Sequence, residues 1–528
     1  MKRHVLALAA AFAATVLIGA GPAPQADILL KGGSIHDGSD RPAFVGDVAI
    51  SGDRISFVGP GGRVRARRVI DARGLIVAPG FIDPHTHADI GAADPASRRL
   101  DTWLAQGVTT IVTGNDGYGS FHIDGQTRVL TERPIGPNLA SFVGFGAVRT
   151  AVVGQGDVAA TDDQVARMQA LVAKGMCDGA LGLSAGLFYA PQKFATTDEV
   201  IRVAHAAAMR GGLYDTHQRD ESSYGIGLLA SVDEALRIGR EAGMPVHFAH
   251  LKALGADVHG KAPAVVARIA AARAAGQAVT ADQYPYTAGG TGLAAALLPA
   301  WAQDGGITAI KARLADPALQ GRLRADMADN LRRRGGAGAL LMIASGRPWT
   351  GKRLDAVAAG WQIDAIAAAQ RIIAAGPDGD AVASFMMIEP DIEVIMRQPW
   401  VVTGSDGFAG HPRIAGTFPL KYARYVLEKK TISLARFIRQ STGRTADILK
   451  LDRRGYLRPG WFADVVLFDP ARYAPRSDYA NPNALAVGVT TLLINGQLAI
   501  DGGALGSTLP GRVLRRTSVP HCPVQPGD

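Results

Sequence analysis

The hydrophobic pattern along the chain changes its period twice. From Asp27 to about Ala78, apolar and polar positions alternate in short runs, broken by turn residues at Gly32-Gly33, Ser51-Gly52-Asp53 and Gly59-Pro60-Gly61-Gly62. That pattern predicts a small β-sheet domain. The same grammar returns late in the chain, where Gly455 to Phe468 and Thr491 to Gly496 read as strands joined by tight turns. The two ends are expected to pair into one β-sandwich, with residues 27–80 as its first part, 451–515 as its second and 516–528 as a tail. Between them, short apolar runs alternate with amphipathic segments such as Thr197 to Arg210, Ser231 to Ala242 and Ala262 to Ala275, which predicts α/β architecture over residues 81–450. The first of these segments has Thr196 or Thr197 as N-cap, with Asp198 and Glu199 placed to meet the positive helix N-terminus. Residues 289–391 exceed one strand and helix repeat and are helix-rich, so they are expected to form an insertion over the mouth of the central domain, in the place of a lid.

Composition narrows the class. With 528 residues, 47% hydrophobic and 20% charged, the chain can bury a large core and is neither fibrous nor disordered. Lys2 and Arg3 precede an apolar run from Val5 to Ile18 that ends near Gly19 and Ala20. This reads as a signal peptide over residues 1–20, too short for the roughly 20 residues of a spanning helix, so the mature protein is expected to be periplasmic or secreted and free of the membrane. Two cysteines, Cys177 and Cys522, suggest no disulfide framework, and Cys177 reads as a small buried residue. The net charge of +9 is scattered without an aromatic-interleaved stripe, which argues against nucleic acid. The basic stretches at Arg63 to Arg68 and Arg332 to Arg334 read as solvated loops and helix faces.

The candidate chemistry begins at Pro79-Gly80-Phe81-Ile82-Asp83-Pro84-His85-Thr86-His87. Alternate side chains of a strand share a face, so His85 and His87 can reach one metal ion. Further ligand types each close a short apolar run: Asp116, His217, His250 and Asp406. Polar residues at strand ends in a repeated strand and helix pattern are what the catalytic face of a (β/α)8 barrel requires.

Together with Gly182 to Tyr189, Thr216-His217-Gln218-Arg219-Asp220-Glu221, Ala249-His250-Leu251-Lys252, Asp282-Gln283-Tyr284-Pro285-Tyr286 and Gly404-Ser405-Asp406-Gly407 leading to His411-Pro412-Arg413, these residues resemble the amidohydrolase superfamily in its D-aminoacylase (N-acyl-D-amino-acid deacylase) branch. The resemblance implies a distorted (β/α)8 TIM barrel joined to a small β-sandwich, holding zinc at the strand C-termini. It implies that His217 and His250 bind a tight ion and that His85, His87 and Asp406 surround a second position. Asp116 stands where the branch usually has a cysteine ligand. A carboxylate can bind or bridge there, with metal preference drifting toward cobalt, manganese or iron, or the residue can serve only as a turn residue beside Gly117. The lysine that forms a carbamate in hydantoin-cleaving relatives has no counterpart in Ala180 to Tyr189.

For amide hydrolysis the resemblance makes Asp406 the general base and acid. It makes Lys252 and Tyr284 the anchors of a substrate carboxylate, with Arg219 and Arg413 as further cations and Ser184 and Tyr189 lining the pocket. The expected substrate is a small molecule, an N-acyl-D-amino acid or a D-containing dipeptide. A dipeptidase, a cyclic-amide hydrolase and a non-catalytic binding protein are the competing readings.

Overall fold

A computed structural model describes residues 25–61, 64–517 and 519–522, so the segment read as a signal peptide, residues 1–20, lies outside the described residues. In chain order the strands are β1 (Gln25–Ile35), β2 (Phe44–Ser51), β3 (Arg54–Gly59), β4 (Arg65–Asp71) and β5 (Ile76–Pro79). Next come β6 (Phe81–Asp83), β7 (Val108–Thr113), β8 (Asn138–Ser141), β9 (Val143–Gly144), β10 (Gly182–Gly186), β11 (Leu213–His217), β12 (Val246–Phe248) and β13 (Val279–Gln283). β14 (Ala288–Gly292), β15 (Leu340–Met342) and β16 (Ala381–Phe385) belong to the insertion. They are followed by β17 (Val401–Thr403), β18 (Val465–Phe468), β19 (Val489–Ile494), β20 (Gln497–Asp501) and β21 (Ala504–Leu505).

The two ends of the chain meet in one nine-stranded sheet ordered β21-β20-β19-β18-β5-β1-β2-β3, with β4 beside β1. The join is the antiparallel β5–β18 ladder, which sets Pro79 opposite Val465. β1 pairs with β4 over its first residues and with β5 at Ser34 and Ile35. The two halves thus diverge from one strand, and Ile28, Leu30, Val48 and Ile50 share an apolar cluster with Val77, Val465, Leu467 and Leu493. A buried polar knot fixes this domain to the barrel. Asn495 donates to Asn138 Oδ1 at 2.8 Å, Asn138 donates to Asp464 Oδ2 at 3.2 Å, and Arg454 pairs with Asp464.

The barrel is built of parallel ladders, β6-β7-β8 and β9-β10-β11-β12-β13-β17. β7, β10 and β11 are buried at every residue, as strands covered on both faces must be. β8 and β9 are one barrel strand broken only at Phe142, where Ser141 O accepts from Leu181 N (2.9 Å) and Phe142 N donates to Thr113 O (3.0 Å). Between β17 and β6 the circuit closes through Asp406 N to His85 O (2.9 Å) and His87 N to Gly407 O (3.0 Å). That loose seam lies at the two segments that carry His85, His87 and Asp406. The helix Thr197–Ala208 starts at Thr196, whose hydroxyl accepts from Glu199 N at 3.1 Å.

The insertion has its own three-stranded antiparallel sheet and a separate apolar cluster including Leu297, Met327, Trp349 and Ile372. Its first strand, β14, and Arg334 help to wall the pocket above the barrel. Among the described residues no helix is long and apolar enough to cross a membrane.

The cysteines correct the sequence expectation: Cys177 and Cys522 form a disulfide, with Cα atoms 5.4 Å apart across 345 residues of sequence. Near the C-terminus, Arg516 N donates to Gly179 O at 3.0 Å, just past the end of helix Asp162–Cys177. A bond between such distant residues leaves no spacing signature. Cys522→Ser, or reductant added to the wild type, is expected to lower stability by about 2–4 kcal/mol, the usual range for a native disulfide. Identical thermal midpoints with and without reductant would show that the bond does not form.

Candidate metal centre and active site

Each candidate ligand reaches the barrel mouth for a local reason. Thr86 donates both its N–H (3.1 Å) and its hydroxyl (2.7 Å) to Val112 O, which anchors the middle of the His-Thr-His segment and leaves His85 and His87 to the other face. Asp116 sits in a left-handed turn (φ 56°) between Gly114 and Gly117, a conformation that aspartate tolerates better than most residues. Gln192 staples that turn, donating to Asp116 O at 2.9 Å while accepting from Gly186 N at 2.7 Å. A side chain on Gly117 would meet Gln192 Oε1 at 2.0 Å. His250 (φ 36°) and Asp406 (φ 48°) are also left-handed, the kind of strained backbone that persists where surroundings enforce it.

The six side chains converge. His217 Nδ1 and His250 Nε2 lie 2.9 Å apart, and Asp116 Oδ1 is 3.7 Å and 3.4 Å from them. On the other side, Asp406 Oδ1 is 3.5 Å from His85 Nε2 and 3.1 Å from His87 Nε2. Asp116 touches both groups, with Oδ1 3.5 Å from His85 Nε2 and Oδ2 3.4 Å from His87 Nε2. Two tetrahedral ligands at about 2.0 Å from one ion stand roughly 3.3 Å apart. The observed separations bracket that spacing. Both ring nitrogens of His85 and Asp116 Oδ1 are buried without a hydrogen-bond partner. The residues therefore fit a divalent cation bound by Asp116, His217 and His250, and a second position among His85, His87, Asp116 and Asp406.

Electrostatics follow from this crowding. Burial works against a charged His85 and His87, yet the carboxylates around them prevail: Asp116, Asp282 and Asp406 hold His85 well above 6.5, and Asp116 and Asp406 raise His87 to about 9. Burial dominates at His217, which falls to about 4. Burial also opposes the charge on Asp406, but Arg413, His250 and His85 hold it well below the usual carboxylate range. Cation binding must displace the protons on His85 and His87, so uptake is expected to release protons and affinity to rise from pH 6.5 toward 9. The raised pKa values stabilise the metal-free fold below about 6.5, and that stability is lost as pH climbs through about 9. Calorimetry in two buffers of different protonation enthalpy reads the release directly; buffer-independent heats would show that these histidines are already neutral.

A second layer orients the ligands, and most of it escaped sequence reasoning. Glu221 lies 3.3 Å from His250 Nδ1 and 3.7 Å from His217 Nε2, behind both rings. Burial opposes its charge, but Lys252, His217 and His250 bring its pKa down to about 2. Asp282 lies 3.7 Å from His85 Nδ1 and accepts from His250 N at 3.0 Å and from His247 Nε2 at 3.1 Å. Carboxylates behind ligand imidazoles fix ring orientation. The available signals were Glu221 at i+4 from His217 and Asp282 at the end of an apolar strand.

The expected substrate contacts divide. Lys252 Nζ is braced 2.6 Å from Glu221 Oε1 and 3.0 Å from His250 O, so it supports the ligands as well as lining the pocket. Arg219 is committed elsewhere, to Glu234 (2.9 Å) and to the carbonyls of Lys193 and Ala195. Ser184, expected at the pocket wall, donates to Asp215 Oδ2 at 2.7 Å and accepts from Gly117 N at 3.2 Å, which steadies the Asp116 turn from beneath. Tyr189 does line the pocket, its ring 4.8 Å from His217. Arg413 donates to Asp406 Oδ2 at 2.7 Å, and its guanidinium lies 4.7 Å from the Tyr284 ring. Arg413 Nε and Nη1 and the Tyr284 hydroxyl are buried without partners. His411 accepts from Arg413 N at 3.2 Å and so braces that arginine.

Residues 68–500 match the amidohydrolase family, and the chain belongs to it. Within that family it groups with the N-acyl-D-amino-acid deacylases. A D-aminoacylase of Alcaligenes xylosoxydans xylosoxydans is 34% identical over 93% of this chain and 98% of its own. A solved D-aminoacylase, described as having a binuclear metal centre with one-metal activation and second-metal attenuation, superposes with a TM-score of 0.80 at 31% identity, covering 93% of this chain and all of that one. N-acyl-D-glutamate deacylase from Bordetella bronchiseptica, solved with zinc and a phosphonate mimic of the tetrahedral intermediate, gives a TM-score of 0.79 at 29% identity, again over 93% and 100% of the two chains.

Proposed function

We propose that this chain is an exported, metal-dependent hydrolase that cleaves the amide of N-acyl-D-amino acids into a carboxylic acid and a free D-amino acid. The observation that carries the reading is the placing of Asp406. One of its oxygens faces the ligand cluster, and the other is held by Arg413, whose Nε and Nη1 stand unpartnered with the guanidinium 4.7 Å from the Tyr284 ring. The relatives supply the D-series preference. Zinc is the cation we assign first, on the nitrogen and oxygen donor set and on the zinc-bound deacylase; the carboxylate at Asp116 widens the choice to cobalt, manganese or iron.

A divalent cation in the cluster would polarise the scissile carbonyl and lower the pKa of water toward about 7. Asp406, ionised, takes the proton of the attacking water and returns it to the departing nitrogen. Arg413 keeps that carboxylate charged and aimed while offering Nε and Nη1, with the Tyr284 hydroxyl, to the substrate α-carboxylate. Burial, reinforced by Asp116, pushes the Tyr189 phenol well above 10, so it remains a hydrogen-bond donor beside His217.

Export rests on the charged and apolar run from Lys2 to Ala20 and is supported by the Cys177–Cys522 bond, which suits an oxidising compartment. The test of function is amine release by the mature, zinc-loaded protein from paired N-acetyl-D- and N-acetyl-L-amino acids, with a chelated control. Chelator-sensitive turnover of the D-series is the expected result; inactivity toward both series with metal bound would overturn the reading.

A further inference from the structure

Arg334 departs from its sequence reading as a solvated charge. It follows the helix Gln320–Arg333 in the insertion and is only 2% exposed. Its Nη1 donates to Ser384 Oγ at 3.2 Å, while its Nε has no partner. Its guanidinium lies 5.4 Å from the Tyr224 ring and 6.0 Å from the Phe188 ring, and the residue lines the same pocket as His217, His250 and Asp406. The Tyr224 hydroxyl is buried beside it, with the Arg334 guanidinium as its neighbouring donor. Lys193 Nζ also approaches Phe188, at 5.2 Å, and faces a cavity that Phe188 and Tyr224 share with the catalytic pocket. Asp220, the acid that acts on Lys193, is occupied by the backbone N–H groups of Ser222, Gly225 and Gly227. Phe188 itself stacks on His217 at 5.6 Å.

A buried guanidinium is costly without an anion to complete it. The substrate α-carboxylate already has its place beside Asp406, at Arg413 and Tyr284. From this geometry we infer that Arg334, with the Tyr224 hydroxyl and Lys193 around Phe188, forms a subsite for a second carboxylate of the substrate, carried by an acidic D side chain or by a dicarboxylic acyl group. The inference rests on the deacylase reading and narrows its substrate class.

The experiment measures kcat/KM of the mature, zinc-loaded protein on two isosteric pairs that differ by one carboxylate: N-acetyl-D-glutamate against N-acetyl-D-glutamine, and N-succinyl-D-alanine against its succinamoyl counterpart. The charged member of one pair is expected to be preferred by roughly 10- to 100-fold, as for a charge-assisted hydrogen bond made or left unmade. The responding pair identifies whether the second carboxylate comes from the side chain or the acyl chain. Arg334→Gln should collapse that ratio toward one, and Arg334→Lys should retain part of it. Should either variant fail to fold, the wild-type ratios decide alone. Equal or better turnover of the neutral member in both pairs would sink the inference and spare the deacylase reading, and so would a loss in Arg334→Gln that is uniform across all four substrates. Absence of turnover on every D substrate would sink both.

Discussion

Asp406→Asn is expected to lower kcat by roughly 10²- to 10⁴-fold, the range that a positioned proton-transfer group contributes, while leaving the protein folded and its metal content close to that of the wild type. The amide is isosteric, so its oxygen can still accept from Arg413 Nη2, which lies 2.7 Å from the native Oδ2. The lost property is the ability to hold a proton between its removal from water and its delivery to nitrogen. The primary metal position we propose would draw its ligands from Asp116, His217 and His250, on other strands, so occupancy there should survive. Turnover and metal stoichiometry measured on the same preparation separate the two roles. Wild-type turnover at full occupancy would remove Asp406 from the chemistry, whereas parallel loss of metal and activity would make it chiefly a ligand.

Asp116→Ala carries the second large effect. Asp116 reaches both imidazole groups, within 3.4–3.7 Å of His85, His87, His217 and His250. Its removal takes a ligand from each position and leaves buried imidazoles without their main compensating charge. Metal affinity should fall beyond the roughly 10- to 100-fold typical of losing a residue behind a ligand, with activity falling in step. Asp116→Cys, which puts a softer anionic thiolate in the same place, should recover binding and shift preference toward zinc. Unchanged stoichiometry in Asp116→Ala would return Asp116 to the role of a turn residue.

Much of the barrel mouth was legible because strands report themselves locally. Period-two alternation places His85 and His87 on one face, and short apolar runs ending in Asp116, His217, His250 and Asp406 mark strand C-termini. What lies behind those ligands was not legible in the same way. Glu221 and Asp282 were read as parts of motifs, and their contacts with His217, His250 and His85 depend on how neighbouring strands are staggered. Arg219 shows the same difficulty from the other side: a cation after a strand looks alike whether it faces substrate or a buried acid, and here Glu234 claims it, while Lys252 does both, lining the pocket and pairing with Glu221.

The sequence by itself determined the α/β class, the meeting of both chain ends, which join in one nine-stranded sheet where a β-sandwich was expected, the helix start at Thr196 and the polar residues at the strand ends. All of these rest on periodicity, turn chemistry and capping, which act over a few residues. Only the tertiary structure decided that Asp116 touches both ligand groups, that Arg334 is buried against the catalytic pocket and that Cys177 meets Cys522. Those outcomes depend on distances between side chains that are tens to hundreds of residues apart along the chain. Such distances are set by how strands register and how the insertion packs over the barrel, and no local pattern encodes them.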